Sequence, residues 1–132
     1  MIGIKSIASF VPKQHIDNVA QAKAYGESEE YIEKKIGAVR LPRKNRDQDT
    51  SDLAEQACLN LFEKNPELNT SNIDAIIIIT QNPDDEGLPH TSAILQRKLN
   101  LPTTVAAFDV SLGCSGFVYG LFRVALLEKQ LL

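Results

Sequence analysis

The 132-residue sequence predicts a layered α/β fold, with helices packed around a mainly parallel or mixed sheet. Three observations predict it. Residues 73–80 form an apolar run, centred on Ala75-Ile76-Ile77-Ile78-Ile79, with almost no polar alternation, and such a strand needs cover on both faces. Residues 104–110 form a second strand of the same kind. Helix-length amphipathic segments separate and follow these runs, and strand–helix alternation implies right-handed crossovers around one sheet.

The elements follow in order. Residues 2–11 alternate loosely between apolar and polar side chains and stop at Pro12, which reads as a first strand. Asp17 or Asn18 caps a short helix through Tyr25, with Gly26 as its stop. Ser28 caps a second, with Glu29 and Glu30 in its first turn, Lys34 and Lys35 in its last, and Gly37 beyond. Residues 40–49 are polar and charged and read as an exposed loop, and His15 as a surface loop residue. Thr50 or Ser51 caps a stronger helix whose Leu53, Ala57, Cys58, Leu61 and Phe62 share one face, closed by Asn65 and Pro66. A further helix is expected to start near Pro89 and to stop at a left-handed Asn100. The last helix, residues 115–131, shows an apolar stripe of Val118, Leu121, Phe122 and Ala125. It ends with no returning strand, so Leu131 and Leu132 read as chain in mid-course and the sequence as a fragment.

The formal net charge of −3 argues against nucleic acid as a main partner. No apolar run approaches the roughly 18 residues of a membrane span. No secretory signal pattern is present, and Cys58 and Cys114 suggest no disulfide framework, so a cytoplasmic protein with reduced thiols is expected. No dinucleotide or phosphate-binding glycine loop indicates a cofactor. Asp84, Asp85 and Glu86 supply loop carboxylates but no fuller ligand set at metal-binding spacing, so no metal site is assigned.

The segment Phe108-Asp109-Val110-Ser111-Leu112-Gly113-Cys114-Ser115-Gly116-Phe117 carries the chemistry. It places a cysteine where a buried strand turns into a helix, and the helix N-terminus favours an anion such as a thiolate. Nearby backbone amides can hold the oxyanion formed when that thiolate attacks a thioester. Gly116 and Gly120, four apart, permit close packing against a neighbour. A free cysteine in this setting also fits a small buried hydrophobe, and geometry alone leaves both readings open. Cys58, on an apolar helix face, reads as core.

Asp109-Val110 followed by Cys114-Ser115-Gly116-Phe117 resembles the active-cysteine signature of the ketoacyl-[acyl-carrier-protein] synthase III family, within the thiolase-like superfamily. The resemblance runs in order along most of the chain. It includes Glu29-Glu30-Tyr31-Ile32 to Arg40, Asp52-Leu53-Ala54, Ile73-Asp74-Ala75-Ile76-Ile77, Gln81-Asn82-Pro83-Asp84, Pro89 and Leu99-Asn100-Leu101. It implies that residues 1–132 form a partial N-terminal thiolase-like domain. It also implies that Cys114 accepts an acyl group from acyl-coenzyme A and that a malonyl thioester on acyl carrier protein is the condensing partner. The family's catalytic histidine and asparagine lie in the second half of its longer chain, and neither His15 nor His90 matches that histidine.

By the same resemblance, Tyr31 and Lys35 occupy the places that clamp coenzyme A, where tryptophan and arginine are familiar. Lysine lacks the planar guanidinium, which favours a carrier-protein donor. Tyr31 packing on its own domain and Lys35 capping the helix end is the alternative. Leu88 matches a residue that reaches across a homodimer into the partner's acyl pocket, or else simply packs in that interface. Lys34, Lys35, Arg40, Arg43, Lys44 and Arg46 form a basic run that either steers an acidic carrier protein or is solvated surface. Rival readings are another thiolase-like synthase, of polyketide, quinolone or hydroxymethylglutaryl type, and a non-catalytic interaction module.

Overall fold

The computed structural model describes the backbone of residues 3–130 and the side chains of residues 3–124. The chain folds as two compact units, one of residues 11–48 and one of residues 1–10 with residue 49 onward.

The larger unit is organised by two parallel strands, β3 (Ala75–Ile79) and β4 (Ala106–Val110), in register from Ala75 opposite Ala106 to Ile79 opposite Val110. Thr80 N–H extends the ladder by one bond to the Val110 carbonyl, at 3.2 Å. Both strands are shorter than expected. Residues 70–72 make a 3-10 turn before β3, and Val105 N–H closes a turn onto the Pro102 carbonyl before β4. Along β3 every residue is half-buried, so the cover that its apolar run calls for is only partial.

Helix α3 (Thr50–Lys64) starts from a capping box formed by Asp49 and Asp52. Its predicted apolar face, from Leu53 to Phe62, is half-buried. Helix α4 (Thr91–Lys98) begins two residues later than the expected start at Pro89. The reason is electrostatic and local: the Asp109 carboxylate accepts from the Thr91 and Ser92 amides at 2.8 and 2.9 Å, which fixes the first helical residues there. Asn100 takes the expected left-handed conformation, with φ +52°. Leu95, Leu101 and Val105 form the buried apolar core of this unit, beside a buried polar set of Ser51, Asp84, Thr91 and Ser92.

Helix α5 (Gly116–Gln130) does not use the expected apolar stripe for packing. A β-carbon on Gly116 would run into Ile79 Cγ2, and one on Gly120 into Ile79 Cδ1, so the glycine side of the helix lies directly on β3. Phe117, Val118 and Phe122 are 65%, 68% and 59% exposed, and Leu121 is exposed with them. The side chain of Ala125, and residues Leu131 and Leu132, lie outside the described residues. The glycine spacing read from the sequence is therefore the packing surface, and the stripe is not.

The expected first strand is a second correction. Among the described residues, 3–11 pair with no strand; Ile2 lies outside them. Exposure still alternates residue by residue from Lys5 to Phe10, as on an extended chain, and Asn60 Nδ2 donates to the Ser9 carbonyl at 2.9 Å. A period of two marks an extended segment, whereas a strand also needs a ladder partner.

In the smaller unit, β1 (His15–Asp17) pairs antiparallel with β2 (Arg40–Pro42). This overturns the reading of residues 40–49 as entirely loop and of His15 as a loop residue. Of the three rungs only the middle one, Ile16 opposite Leu41, is apolar on both sides, too short a run to give a periodic signal; beside it Arg40 Nη2 lies 2.5 Å from His15 Nε2. Asp17 caps α1 (Asn18–Ala24), and Ser28 caps the one-turn α2 (Glu29–Tyr31). A π-helical turn, Ile32–Ile36, continues α2 and ends at Gly37, whose φ of +73° needs glycine. Ala22 and Ile32 are the buried residues of these helices.

Candidate active site at the strand–helix elbow

Ligands of α/β sheets gather beyond the carboxyl ends of parallel strands, where loops diverge. Here β3 and β4 end side by side, at Ile79 and Val110. From β4 the chain turns through residues 111–115 into α5. Leu112 N–H donates to the Val110 carbonyl at 2.9 Å, and Gly116 N–H to the Gly113 carbonyl at 2.8 Å. Cys114 lies in this turn, two residues before the helix begins, and is exposed and unbridged. The first amides of a helix generally lack intrahelical acceptors; here Gly116 N–H is already taken by the Gly113 carbonyl and Tyr119 N–H by the Ser115 carbonyl. The elbow is held down by Gly116 on Ile79 and Leu112, a fit that no larger residue could make without displacing a strand side chain.

The loop leaving β3 is anchored on several sides. Thr50 Oγ1 donates to the Asn82 carbonyl at 2.6 Å, and Asn82 N–H donates to Thr80 Oγ1 at 3.0 Å. Asp84 is buried, accepts from Ser51 N–H at 3.1 Å, and donates its own N–H to Thr91 Oγ1 at 3.0 Å. Its carboxylate thus serves the loop. Asp85 and Glu86 follow in left-handed conformations, with φ +45° and +59°. Leu88, before the cis Pro89, is 78% exposed. It shares a unit with Cys114 but stands at the far end of this loop in sequence.

Asp109, which belongs to the cysteine motif but has no role assigned by the sequence, proves to be structural. Its side chain is 12% exposed, its two oxygens hold the start of α4, and His90 Nδ1 stands 3.9 Å from Oδ2. It ties β4, five residues before Cys114, to the end of the loop that carries Leu88. Its only sequence signal is an acid inside an otherwise apolar strand, which calls for buried donors. The Gln81 carboxamide lies against Gly113: a β-carbon there would sit 2.8 Å from Oε1 and 3.1 Å from Cδ.

The two cysteines differ in surroundings. Cys58 is half-buried on α3, and its thiol pKa is raised, first by desolvation and then by the nearby Glu55 carboxylate. A 540 Å³ cavity on the larger unit is walled by Asp49, Asp52, Asp84, Arg97 and Lys98, not by Cys114 or Gln81. There Lys98 reaches Asp52 at 2.5 Å and Glu55 at 3.8 Å; the hydrogen bond to Asp52 is the main cause of its raised pKa.

The other two site residues belong to the smaller unit. Tyr31 is 41% exposed and lines a cleft with Asn18, Gln21, Ala22, Tyr25 and Ile32. Lys35 is exposed on the π-turn. Of the basic run, Lys34 pairs with Glu30 at 2.7 Å, Lys44 donates to the Gln48 carbonyl, and all six members are exposed.

No family model matches the chain. It is 35% identical over 129 residues to a beta-ketoacyl-[acyl-carrier-protein] synthase III of Campylobacter jejuni subsp. doylei, covering 97% of this chain and 39% of that protein. To the protein of the same name from Helicobacter hepaticus it is 39% identical over 116 residues, covering 88% of this chain and 34% of that one. The crystal structure of the synthase III of Thermus thermophilus matches with a TM-score of 0.85 at 32% identity, over 98% of this chain and 40% of that chain. The chain thus spans about two fifths of the length of the relatives it matches. Over nearly all its residues it is homologous to part of the beta-ketoacyl-[acyl-carrier-protein] synthase III proteins, and it carries the corresponding part of their thiolase-like α/β fold.

Proposed function

We propose that the chain is the nucleophile-bearing part of a fatty-acid-type condensing enzyme, with Cys114 as the catalytic residue. The observation that carries this reading is an exposed cysteine in the turn between β4 and α5, at the carboxyl end of a parallel strand pair. In the first half-reaction the Cys114 thiolate attacks the carbonyl of an acyl-coenzyme A. The tetrahedral oxyanion collapses, the carbon–sulfur bond to coenzyme A breaks, and the leaving thiolate takes a proton. The acyl group is then a thioester on Cys114. In the second, a malonyl group on acyl carrier protein loses carbon dioxide. The resulting carbanion attacks the acyl carbonyl, and Cys114 leaves as thiolate from a β-ketoacyl product. This half-reaction belongs to the complete protein and needs groups beyond the chain, a histidine and an asparagine by family resemblance. No cofactor enters either step.

Tyr31 and Lys35 are assigned to the donor's coenzyme A or carrier arm. The exposed basic residues of the smaller unit suit an acidic carrier protein. Leu88 is assigned to the acyl pocket of a homodimeric partner, its exposure leaving it available for that contact. The setting is cytoplasmic; among the described residues no helix is long and apolar enough to cross a membrane. The test uses the complete protein with an acyl-coenzyme A and malonyl-[acyl carrier protein]. Cys114→Ala is expected to abolish β-ketoacyl product; product formation by that variant at a rate near the parent's would refute the reading.

A further inference from the structure

Gln81 is the first residue after Thr80 closes the β3–β4 ladder, and Cys114 lies just past the end of the neighbouring strand. Its side chain is exposed and folds onto Gly113, with Nε2 3.4 Å and Oε1 2.8 Å from the position a β-carbon would take there. Among the described residues no protein group hydrogen-bonds this carboxamide, whereas Thr80 Oγ1 and the Asp84 carboxylate at either side of it in the loop are both bonded. A free donor and a free acceptor thus lie beside the residue preceding the nucleophile. Nothing in the thioester chemistry of Cys114 uses them.

We propose that Gln81 is a specificity-determining residue of the Cys114 site, its carboxamide hydrogen-bonding an oxygen on the group that Cys114 carries. The site then favours acyl groups with a hydroxyl or keto oxygen at the third carbon over plain alkyl chains of the same length. The carboxamide suits either, because its N–H₂ donates to a keto oxygen and its carbonyl accepts from a hydroxyl. The acyl form of this assignment rests on Cys114 being the acyl acceptor. Because Gln81 is exposed, its bond exchanges with water, and the expected selectivity is roughly 3- to 10-fold.

Two arms test it. In the first, the chain is equilibrated with bis(3-hydroxypropyl) disulfide or the isosteric dibutyl disulfide in a matching thiol buffer. Occupancy of Cys114 is read by peptide mass mapping, normalised to a short unstructured peptide carrying the same cysteine. The parent chain is expected to favour the hydroxypropyl group about 3- to 10-fold. Gln81→Met is expected to bring that ratio to about one. Gly113→Ala should do the same from the other side, since its methyl would displace the movable end of Gln81 while the backbone stays put. A parent ratio near one, or a ratio unchanged in both variants, overturns the proposal.

The second arm compares 3-hydroxybutyryl- and butyryl-coenzyme A by intact mass. Selective loss of 3-hydroxybutyryl loading in Gln81→Met supports the assignment. Equal loss of both overturns it in favour of a general effect on the thioester carbonyl. If neither thioester loads while the disulfide preference holds, the acyl-transfer reading fails and the Gln81 assignment stands.

Discussion

Cys58 and Cys114 share a side chain and differ in everything around it. Cys114 is exposed at the end of a turn, whereas Cys58 is half-buried on α3 with its pKa raised by desolvation and by Glu55. Iodoacetamide at pH 7.5 should therefore label Cys114 at least about tenfold faster than Cys58, since attack requires an accessible thiolate. Peptide mapping over time reads this, and equal rates would contradict the burial of α3. The same shift gives a pH dependence. A native pKa above the unfolded one means that the folded protein holds the Cys58 proton more tightly, so this contribution is intact below the ordinary thiol pKa, about 8.5, and fades as pH rises through the native value. Urea midpoints should fall between pH 8 and 10, and fall less in Cys58→Ala. At this scale the sequence was informative about Cys114, because glycines and a strand–helix junction surround it. It placed Asp109 and Gln81 in motifs but gave neither a role, because their partners lie 17 or more residues away.

Elements meet here through backbone proximity as much as through apolar faces. Asp109 caps α4 from a neighbouring strand, and charge-assisted bonds of this kind are worth more than a neutral cap. Asp109→Ala should cost about 2–3 kcal/mol in urea unfolding, with Asp109→Asn losing roughly half of that. The contact between α5 and β3 makes a sharper prediction. Gly120→Ala collides with Ile79 Cδ1, which valine lacks, whereas Gly116→Ala collides with Cγ2, which valine keeps. Each glycine variant should lose about 1–3 kcal/mol from overpacking, partly offset by alanine's helix preference of about 1 kcal/mol. Adding Ile79→Val should rescue Gly120→Ala and leave Gly116→Ala unrescued; equal rescue of both would show that α5 sits elsewhere. The glycine pair was legible in the sequence as a close-packing signal. The stripe beside it was misread because amphipathic periodicity reports which side chains are apolar and not which side meets the sheet.

Across the whole molecule, the α/β class was legible because uninterrupted runs such as residues 75–79 have few stable settings other than a flanked parallel sheet. The β1–β2 ribbon was not, since three rungs with a single apolar pair, Ile16 opposite Leu41, are too short to leave a pattern. The exposed Phe117, Val118 and Phe122 make an apolar surface of a kind that folded chains rarely leave bare. Isolated chain should bind a hydrophobic dye and associate with rising concentration in sedimentation velocity, and Phe122→Glu should weaken both; a monomer indifferent to the dye would contradict the exposed face. The central claim is that the elbow presents Cys114 as an acyl acceptor. Its most direct test is intact-mass spectrometry of the folded chain after incubation with short acyl-coenzyme A thioesters, with peptide mapping of the product. The account predicts one acyl group per chain, mapped to Cys114 and lost in Cys114→Ala. A chain shown to be folded that gains no acyl group, or gains it equally in Cys114→Ala, would contradict it.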